Sequence, residues 1–262
     1  MNQTPISQDL IQLAHELADI SGQTIRGYYR HEFSIVSKDD DSPVTIADRE
    51  AERVMRERIR AARPNDGIIG EEHGEENIDA EWVWVLDPID GTKSFTVGRP
   101  LFVTLIGLLH FGKPVLGVIN QPIVNDRWIG GVGVPTTLNG RPVHGSDINE
   151  VSAARIGTTG PEHLQTCAQV FAELVKACRY PVYGGDGYLY GQVAAGWLDV
   201  VVEEGLKLHD FAALAPVVIG AGGAMTDWQG EPLRLGSAGR VLAAANADLH
   251  AQVLPALRSL PV

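Results

Sequence analysis

The chain has 262 residues, 44% hydrophobic and 21% charged, which supplies a sizeable core and excludes a disordered chain. Its 33 acidic against 21 basic residues give a net charge of −12, and no basic stripe offers itself, so a nucleic-acid backbone is excluded as the main partner. No stretch reaches the ~18 apolar residues of a membrane span, no secretion signal opens the chain, and Cys167 and Cys178 fit no usual zinc spacing and read as reduced thiols, so a soluble cytoplasmic protein is expected.

Residues 6–29 carry Leu10, Leu13, Leu17 and Ile20 at helical spacing and predict an opening helix. A polar, proline-marked break follows at 39–44. A second helix is expected from Ile46 to Arg63, with Ala51, Val54, Met55, Ile59 and Ala62 on one face and Arg and Glu on the other, ended by Pro64-Asn65-Asp66-Gly67. Short strands are then expected over Ile68–Gly70, Trp82–Leu86, Leu101–Leu109, Pro114–Asn120 and Arg127–Gly131. Phe111-Gly112-Lys113 and Asn139-Gly140 read as turns. Beyond about residue 152, strands at Ala154–Thr158, Val182–Gly184 and Val200–Val202 alternate with helices at His163–Ala177, Tyr188–Ala195 and Asp210–Gly220. Strands at Ala224–Trp228 and Val241–Ala245 and a helix at Leu249–Leu257 close the chain. The sum is helices covering more than one sheet.

The apolar run Trp82–Leu86 ends on Asp87, and Asp90 follows across Pro88. Taken alone, Asp-Pro-x-Asp reads as an ordinary turn former and helix cap. Other carboxylates lie at similar junctions: Glu71 and Glu72 after Ile68-Ile69, Asp48 at the start of the second helix, and Asp210 at the start of a later one. Singly, Asp48 and Asp210 are good N-caps and Glu72 a solvated side chain. Together they form a set of hard oxygen ligands from three distant parts of the chain, suited to Mg²⁺ or Mn²⁺. Gly91-Thr92-Lys93 adds a turn whose backbone amides suit a phosphate oxygen. Carboxylates for a metal beside amides for phosphate suggest metal-assisted phosphoryl transfer or hydrolysis. The absence of a Gly-x-x-x-x-Gly-Lys-Ser/Thr loop argues against a P-loop kinase or ATPase. Tyr188 and Tyr190 read as packing residues, and the histidines as helix-face or loop residues.

Gly70-Glu71-Glu72, Asp87-Pro88-Ile89-Asp90-Gly91-Thr92 and Leu208-His209-Asp210-Phe211-Ala212-Ala213, followed by Gly220-Ala221-Gly222-Gly223, resemble the inositol monophosphatase superfamily of lithium-sensitive, Mg²⁺-dependent phosphatases. Within it the chain is most similar to the histidinol-phosphatase branch. That likeness rests on the segment from Lys38 to Asp48, on Asp90-Gly91-Thr92-Lys93-Ser94-Phe95, on Gly184-Gly185-Asp186-Gly187-Tyr188, and on the segment from Asp199 to Lys207. His209 departs from the pattern, which places an aromatic residue before the metal aspartate.

The resemblance implies an α+β fold, a layered αβαβα sandwich. It implies one phosphatase domain over 1–262, with most metal ligands in about 1–150 and Asp210 and the specificity residues in about 151–262. It also implies a homodimer. Glu71, Asp87, Asp90, Asp210 and the Ile89 carbonyl would bind two or three metal ions. Thr92, hydrogen-bonded to Asp48, would act with Glu71 on the attacking water. Gly91 and Thr92 would hold phosphate, and Asp186, Glu203 and Lys38 would contact a small phosphorylated metabolite. For Asp186 a helix N-cap, and for Glu203 a surface carboxylate, are the alternatives. A broad sugar-phosphate or inositol phosphatase is the nearest competing function. A non-catalytic metal- or phosphate-binding regulator is another, but binding alone has no need of a water-activating pair such as Thr92 and Asp48.

Overall fold

The computed structural model describes residues 6–31, 35–37 and 43–260; Lys38, expected to contact substrate, lies outside them. The opening helix α1 (Gln8–Tyr28) buries Leu10, Leu13, Leu17 and Ile25 on one face. The hairpin β1 (Ile35–Ser37) with β2 (Pro43–Thr45) precedes α2 (Ile46–Ala62). Thr45 caps α2: its hydroxyl accepts the Ala47 and Asp48 N–H groups, and the Asp48 carboxylate accepts the Thr45 N–H at 2.8 Å. Asp48 is therefore the third helical residue reaching back to the cap, and not the cap itself.

The first sheet is built from β3 (Gly67–Gly70), β4 (Gly74–Glu76), β5 (Trp82–Asp90), β6 (Val103–His110), β7 (Lys113–Gln121), β8 (Asp126–Gly131), β9 (Val134–Leu138) and β10 (Arg141–Pro142), with the short helix α3 (Thr92–Thr96) between β5 and β6. Its order is β10-β9-β8-β7-β6-β5-β3-β4. All pairs are antiparallel except β3 with β5. The second sheet has the order β12-β11-β13-β15-β14. It comprises β11 (Arg155–Thr158), β12 (Tyr180–Tyr183), β13 (Val200–Glu203), β14 (Ala224–Asp227) and β15 (Val241–Ala244), with α4 (Ala168–Ala177), α5 (Tyr188–Ala194), α6 (Leu208–Phe211), α7 (Leu214–Gly220) and α8 (Ala247–Arg258) in its connections.

Alternation along each strand sorts the layers. Trp84 and Leu86 of β5 pack with Leu10, Leu13 and Met55 beneath α1 and α2. On the other face of the same sheet, Val103, Leu105 and Trp128 pack with Leu189 and Val193 of α5, Val217 of α7 and Val201 of the second sheet. The outer face of that second sheet packs Ile156, Val200 and Leu242 against Phe171 of α4 and Leu249 and Val253 of α8. Helix, sheet, helix, sheet, helix follow in order, the α+β layered αβαβα sandwich that the resemblance implied.

Four local features differ from the sequence reading. The helix expected over His163–Ala177 begins at Ala168, after a 3-10 turn at Pro161–His163, because the Thr166 N–H is held by Glu204 at 2.8 Å. The helix expected over Asp210–Gly220 is broken into α6 and α7. Gly107 and Gly117, paired across β6 and β7, explain the close seating of that corner. A Cβ on Gly107 would lie 2.9 Å from the Ala212 carbonyl carbon, and one on Gly117 would lie 1.9 Å from the Ala213 oxygen, so the corner rests directly on the sheet. The polar face of α2 is not all solvated: Glu52 and Arg56 are buried and paired at 3.1 Å. The strands β4, β9 and β10 carry little hydrophobic alternation and exist through pairing with their neighbours.

Candidate active site

Glu71 and Asp87 are brought together by strand register. β3 and β5 run parallel with Gly70 opposite Leu86, so the next residue of each strand emerges at the same sheet end, and the Glu71 N–H donates to the Leu86 carbonyl at 3.1 Å. This is the carboxyl end of a parallel pair, where open sheets bind ligands. Glu52 shapes the turn that follows. Its carboxylate accepts the Glu72 N–H at 2.7 Å and the His73 N–H at 3.1 Å, and it lies so close to Gly70 that a Cβ there would meet it at 2.0 Å. Nothing in the sequence distinguished Glu52 from its solvated neighbours on α2. Glu72, expected to be solvated, has a side chain only 3% exposed, 4.0 Å from Arg49.

A bulge at the end of β5 turns both aspartates to one face. Asp87 pairs with Leu105 and Asp90 with Val103, so β5 holds one residue more than β6 in this stretch. Without it, positions three apart would point to opposite faces. Pro88 has no N–H to offer a ladder, and its carbonyl accepts the Thr104 hydroxyl at 2.8 Å. Ile89 is buried between α2 and α3 with Ala47, Ala51 and Phe95. Asp90 accepts the Gly187 N–H at 2.5 Å. Asp210, the third residue of α6, reaches back to the Lys207 N–H at 2.6 Å, so it too is an inward-reaching first-turn residue and not the N-cap.

Two overlapping clusters result. Ligand atoms of Asp87, Asp90 and Asp210 lie within 4.8 Å of one another, and so do those of Glu71, Asp87 and His209. Asp87 is shared, is 2% exposed, and its Oδ1 is buried without a hydrogen-bond partner. Burial first, then the Glu71 and Asp90 charges, push its carboxyl well above the usual carboxylate range. Burial, with Asp186 and Asp210 nearby, does the same to Asp90, and burial raises Asp210. An orphaned carboxylate oxygen among like charges is costly unless a cation balances it. The oxygen-rich donor set fits a divalent metal ion.

Beside the clusters lies a cavity of about 440 Å³ whose wall includes Glu71, Asp90, Gly91, Thr92, Lys93, Asp186, Glu203, His209 and Asp210. Gly91, in the left-handed region at φ 90°, opens α3; a Cβ there would lie 2.7 Å from Asp186 Oδ2. Asp186, itself at φ 45°, makes no side-chain cap to α5. Burial lifts its carboxyl to about 6, with His163, Lys93 and Arg99 opposing. Glu203, at the end of β13, is 5% exposed and so no surface carboxylate; it accepts the Thr159 N–H at 2.7 Å and the Tyr190 hydroxyl at 3.2 Å. Burial raises it to about 7. Tyr190 thus both packs and ties a cavity carboxylate, which its sequence context did not reveal.

The expected direct bond between Thr92 and Asp48 is not the arrangement found. The Thr92 hydroxyl donates to the Ile89 carbonyl at 3.1 Å, and Asp48 accepts the Thr45 hydroxyl at 2.5 Å. The cap of α2 competes for the Asp48 oxygen, and a hydroxyl has one proton to give. Burial, offset in part by Thr45, brings the Asp48 carboxyl to about 6.

The fold and this acidic cleft define a class, and the family model for the inositol monophosphatase family matches residues 7–261: the chain belongs to that family. It is a phosphomonoester hydrolase. Among its relatives, the chloroplastic bifunctional phosphatase IMPL2 of Arabidopsis thaliana is 45% identical over 258 residues, covering 94% of this chain and 74% of the relative. A histidinol-phosphatase of Chlorobaculum parvum is 38% identical, covering 84% and 86%. A solved structure of an inositol monophosphatase from Zymomonas mobilis superposes with a TM-score of 0.88 at 45% identity, covering 97% of this chain and all of that one. No helix among the described residues is long and apolar enough to cross a membrane.

Proposed function

We propose that the chain is a Mg²⁺-dependent histidinol-phosphate phosphatase, releasing L-histidinol and phosphate in histidine biosynthesis, with 1–262 working as one phosphatase domain. The observation that carries this reading is the second acidic group in the cavity wall, Asp186 and Glu203, beyond the carboxylates clustered for a metal. Histidinol phosphate presents an ammonium group near its ester and an imidazole that can be protonated, whereas an inositol phosphate presents hydroxyls. Anionic or accepting groups that are not themselves members of the metal clusters suit the first substrate. Histidinol-phosphatases among the relatives support the same choice.

Glu71, Asp87, Asp90, Asp210 and the Ile89 carbonyl would hold two or three ions, Mg²⁺ or in its place Mn²⁺. When bound, such an ion supplies Lewis-acid stabilisation and lowers the pKa of water. Backbone amides of Gly91 and Thr92 would receive phosphate oxygens. Glu71 would orient the attacking water, and the Thr92 hydroxyl, on leaving the Ile89 carbonyl, would relay a proton towards Asp48. Burial that holds Asp48 near 6 suits it to accept a proton near neutral pH. By family likeness the reading extends to a cytoplasmic homodimer inhibited by lithium.

A second reading, hydrolysis of inositol phosphate, is favoured by the 45% identity to the Zymomonas mobilis inositol monophosphatase. Phosphate release from histidinol phosphate, inositol 1-phosphate, fructose bisphosphate and adenosine bisphosphate, with and without Mg²⁺ and lithium, tests both. Histidinol phosphate should be turned over most efficiently, and Asp186→Asn should cut its kcat/KM by about 10–100-fold while sparing a simple aryl phosphate. Preference for inositol 1-phosphate replaces the first reading with the second; full activity in excess chelator removes the metal from both.

A further inference from the structure

The two carboxylate clusters differ in donor chemistry. Asp87, Asp90 and Asp210 offer oxygen alone, whereas Glu71 and Asp87 are joined by an imidazole nitrogen of His209, all within 4.8 Å of one another. We propose that His209 is a nitrogen ligand for the cation held by Glu71 and Asp87, and that it biases this position towards Mn²⁺ over Mg²⁺. The inference rests on the metal-dependent reading above and adds a ligand at the position where the sequence departs from the family pattern.

Geometry brings His209 there. It precedes Asp210 on α6, and the α6–α7 corner is seated on the sheet over Gly107 and Gly117, with Gly107 opposite Val85, two residues before Asp87. Its side chain is mostly buried, and its Nε2 stands 3.6 Å from Asp210 Oδ1, too far for a hydrogen bond. An imidazole at that distance can pair with Asp210 through charge alone, and it leaves its ring nitrogens without a hydrogen bond to that carboxylate. The buried Asp87 Oδ1, which has no hydrogen-bond partner, independently marks this spot as one suited to a cation. Mg²⁺ favours oxygen ligands and retains water, so an added imidazole contributes little to its binding. Mn²⁺, a first-row transition ion that also suits carboxylate oxygens, accepts an imidazole nitrogen more readily than the harder Mg²⁺ does.

The test is pulsed electron paramagnetic resonance of metal-free protein titrated with Mn²⁺, together with calorimetric titration by Mn²⁺ and by Mg²⁺. Bound Mn²⁺ in the unmodified chain should show ¹⁴N coupling from a coordinated imidazole. His209→Phe should abolish that coupling and weaken Mn²⁺ binding at this position by about tenfold or more, with Mg²⁺ affinity changed by less than about threefold. His209→Gln serves as the second variant should the first unfold, circular dichroism reporting the fold of each. Mn²⁺ bound without ¹⁴N coupling, or coupling that survives both substitutions, overturns the assignment of His209 and leaves the metal site standing. Failure to bind Mn²⁺ or Mg²⁺ at all overturns the metal site and this inference with it.

Discussion

Replacing Glu203 with glutamine probes the electrostatics of the cavity wall while keeping its shape. The carboxyl is 5% exposed, and burial lifts it from the usual 4.5 to about 7 despite the bond from Thr159. Between those values the folded chain holds a proton that the unfolded chain has released. Stability therefore falls as pH rises from 4.5 to 7 and levels off above. At about 1.4 kcal/mol for each pH unit of that window, the ionised carboxylate costs the metal-free fold on the order of 3 kcal/mol at pH 8 but only roughly 1 kcal/mol at pH 5. Glutamine has no such titration. Its amide oxygen can keep the Thr159 N–H and its amide N–H can donate to the Tyr190 oxygen, the reverse of the native bond and the same at every pH. Glu203→Gln should thus melt above the unmodified chain at pH 8, and the gap should narrow by about 2 kcal/mol towards pH 5. For a chain of this size that is a difference of roughly 4–8 °C. Thermal melts by circular dichroism in chelator at pH 5, 6, 7 and 8 read it directly. A Tm difference that does not vary with pH would refute the argument, because burial would then not be what raises this group.

Other perturbations test the supports of the site. Glu52→Ala should free the Glu72 and His73 amides and loosen the Glu71 turn, lowering divalent-cation affinity by about 10–100-fold in calorimetry; unchanged affinity would mean that the strand ends alone fix Glu71. Gly117→Ala places a Cβ 1.9 Å from the Ala213 oxygen and should destabilise the fold by about 3 kcal/mol in urea melts, whereas a loss under about 1 kcal/mol would show that the corner can lift. Thr92→Ala should lower kcat by roughly 10²–10⁴-fold with little change in KM; steady-state rates within about threefold of the unmodified chain would assign water activation elsewhere.

Much of the site was legible because its ligands sit at element boundaries that local patterning marks. The apolar run ending on Asp87, the Ile68-Ile69 strand before Glu71 and the turn at Gly91 are features of contiguous residues, and strand period and turn chemistry are local properties. The choice between an ordinary cap at Asp90 and a shared ligand site was not local. It depended on the bulge opposite Leu105 and Val103 and on the parallel register that sets Gly70 beside Leu86.

By itself the sequence determined the helix and strand periods, the acidic junctions, and, through resemblance, the order of the layers. Tertiary structure alone decided that Glu52 is buried behind Gly70, that α6 breaks from α7 over Gly107 and Gly117, that Tyr190 holds Glu203, and that the Thr92 hydroxyl donates to Ile89. These outcomes turn on contacts between residues distant along the chain. A missing Cβ on one strand admits a helix or a carboxylate from elsewhere, and each hydroxyl proton goes to whichever acceptor the packing brings nearest. No pattern within α2 separates Glu52 from its solvated neighbours, because burial is a property of the opposing surface.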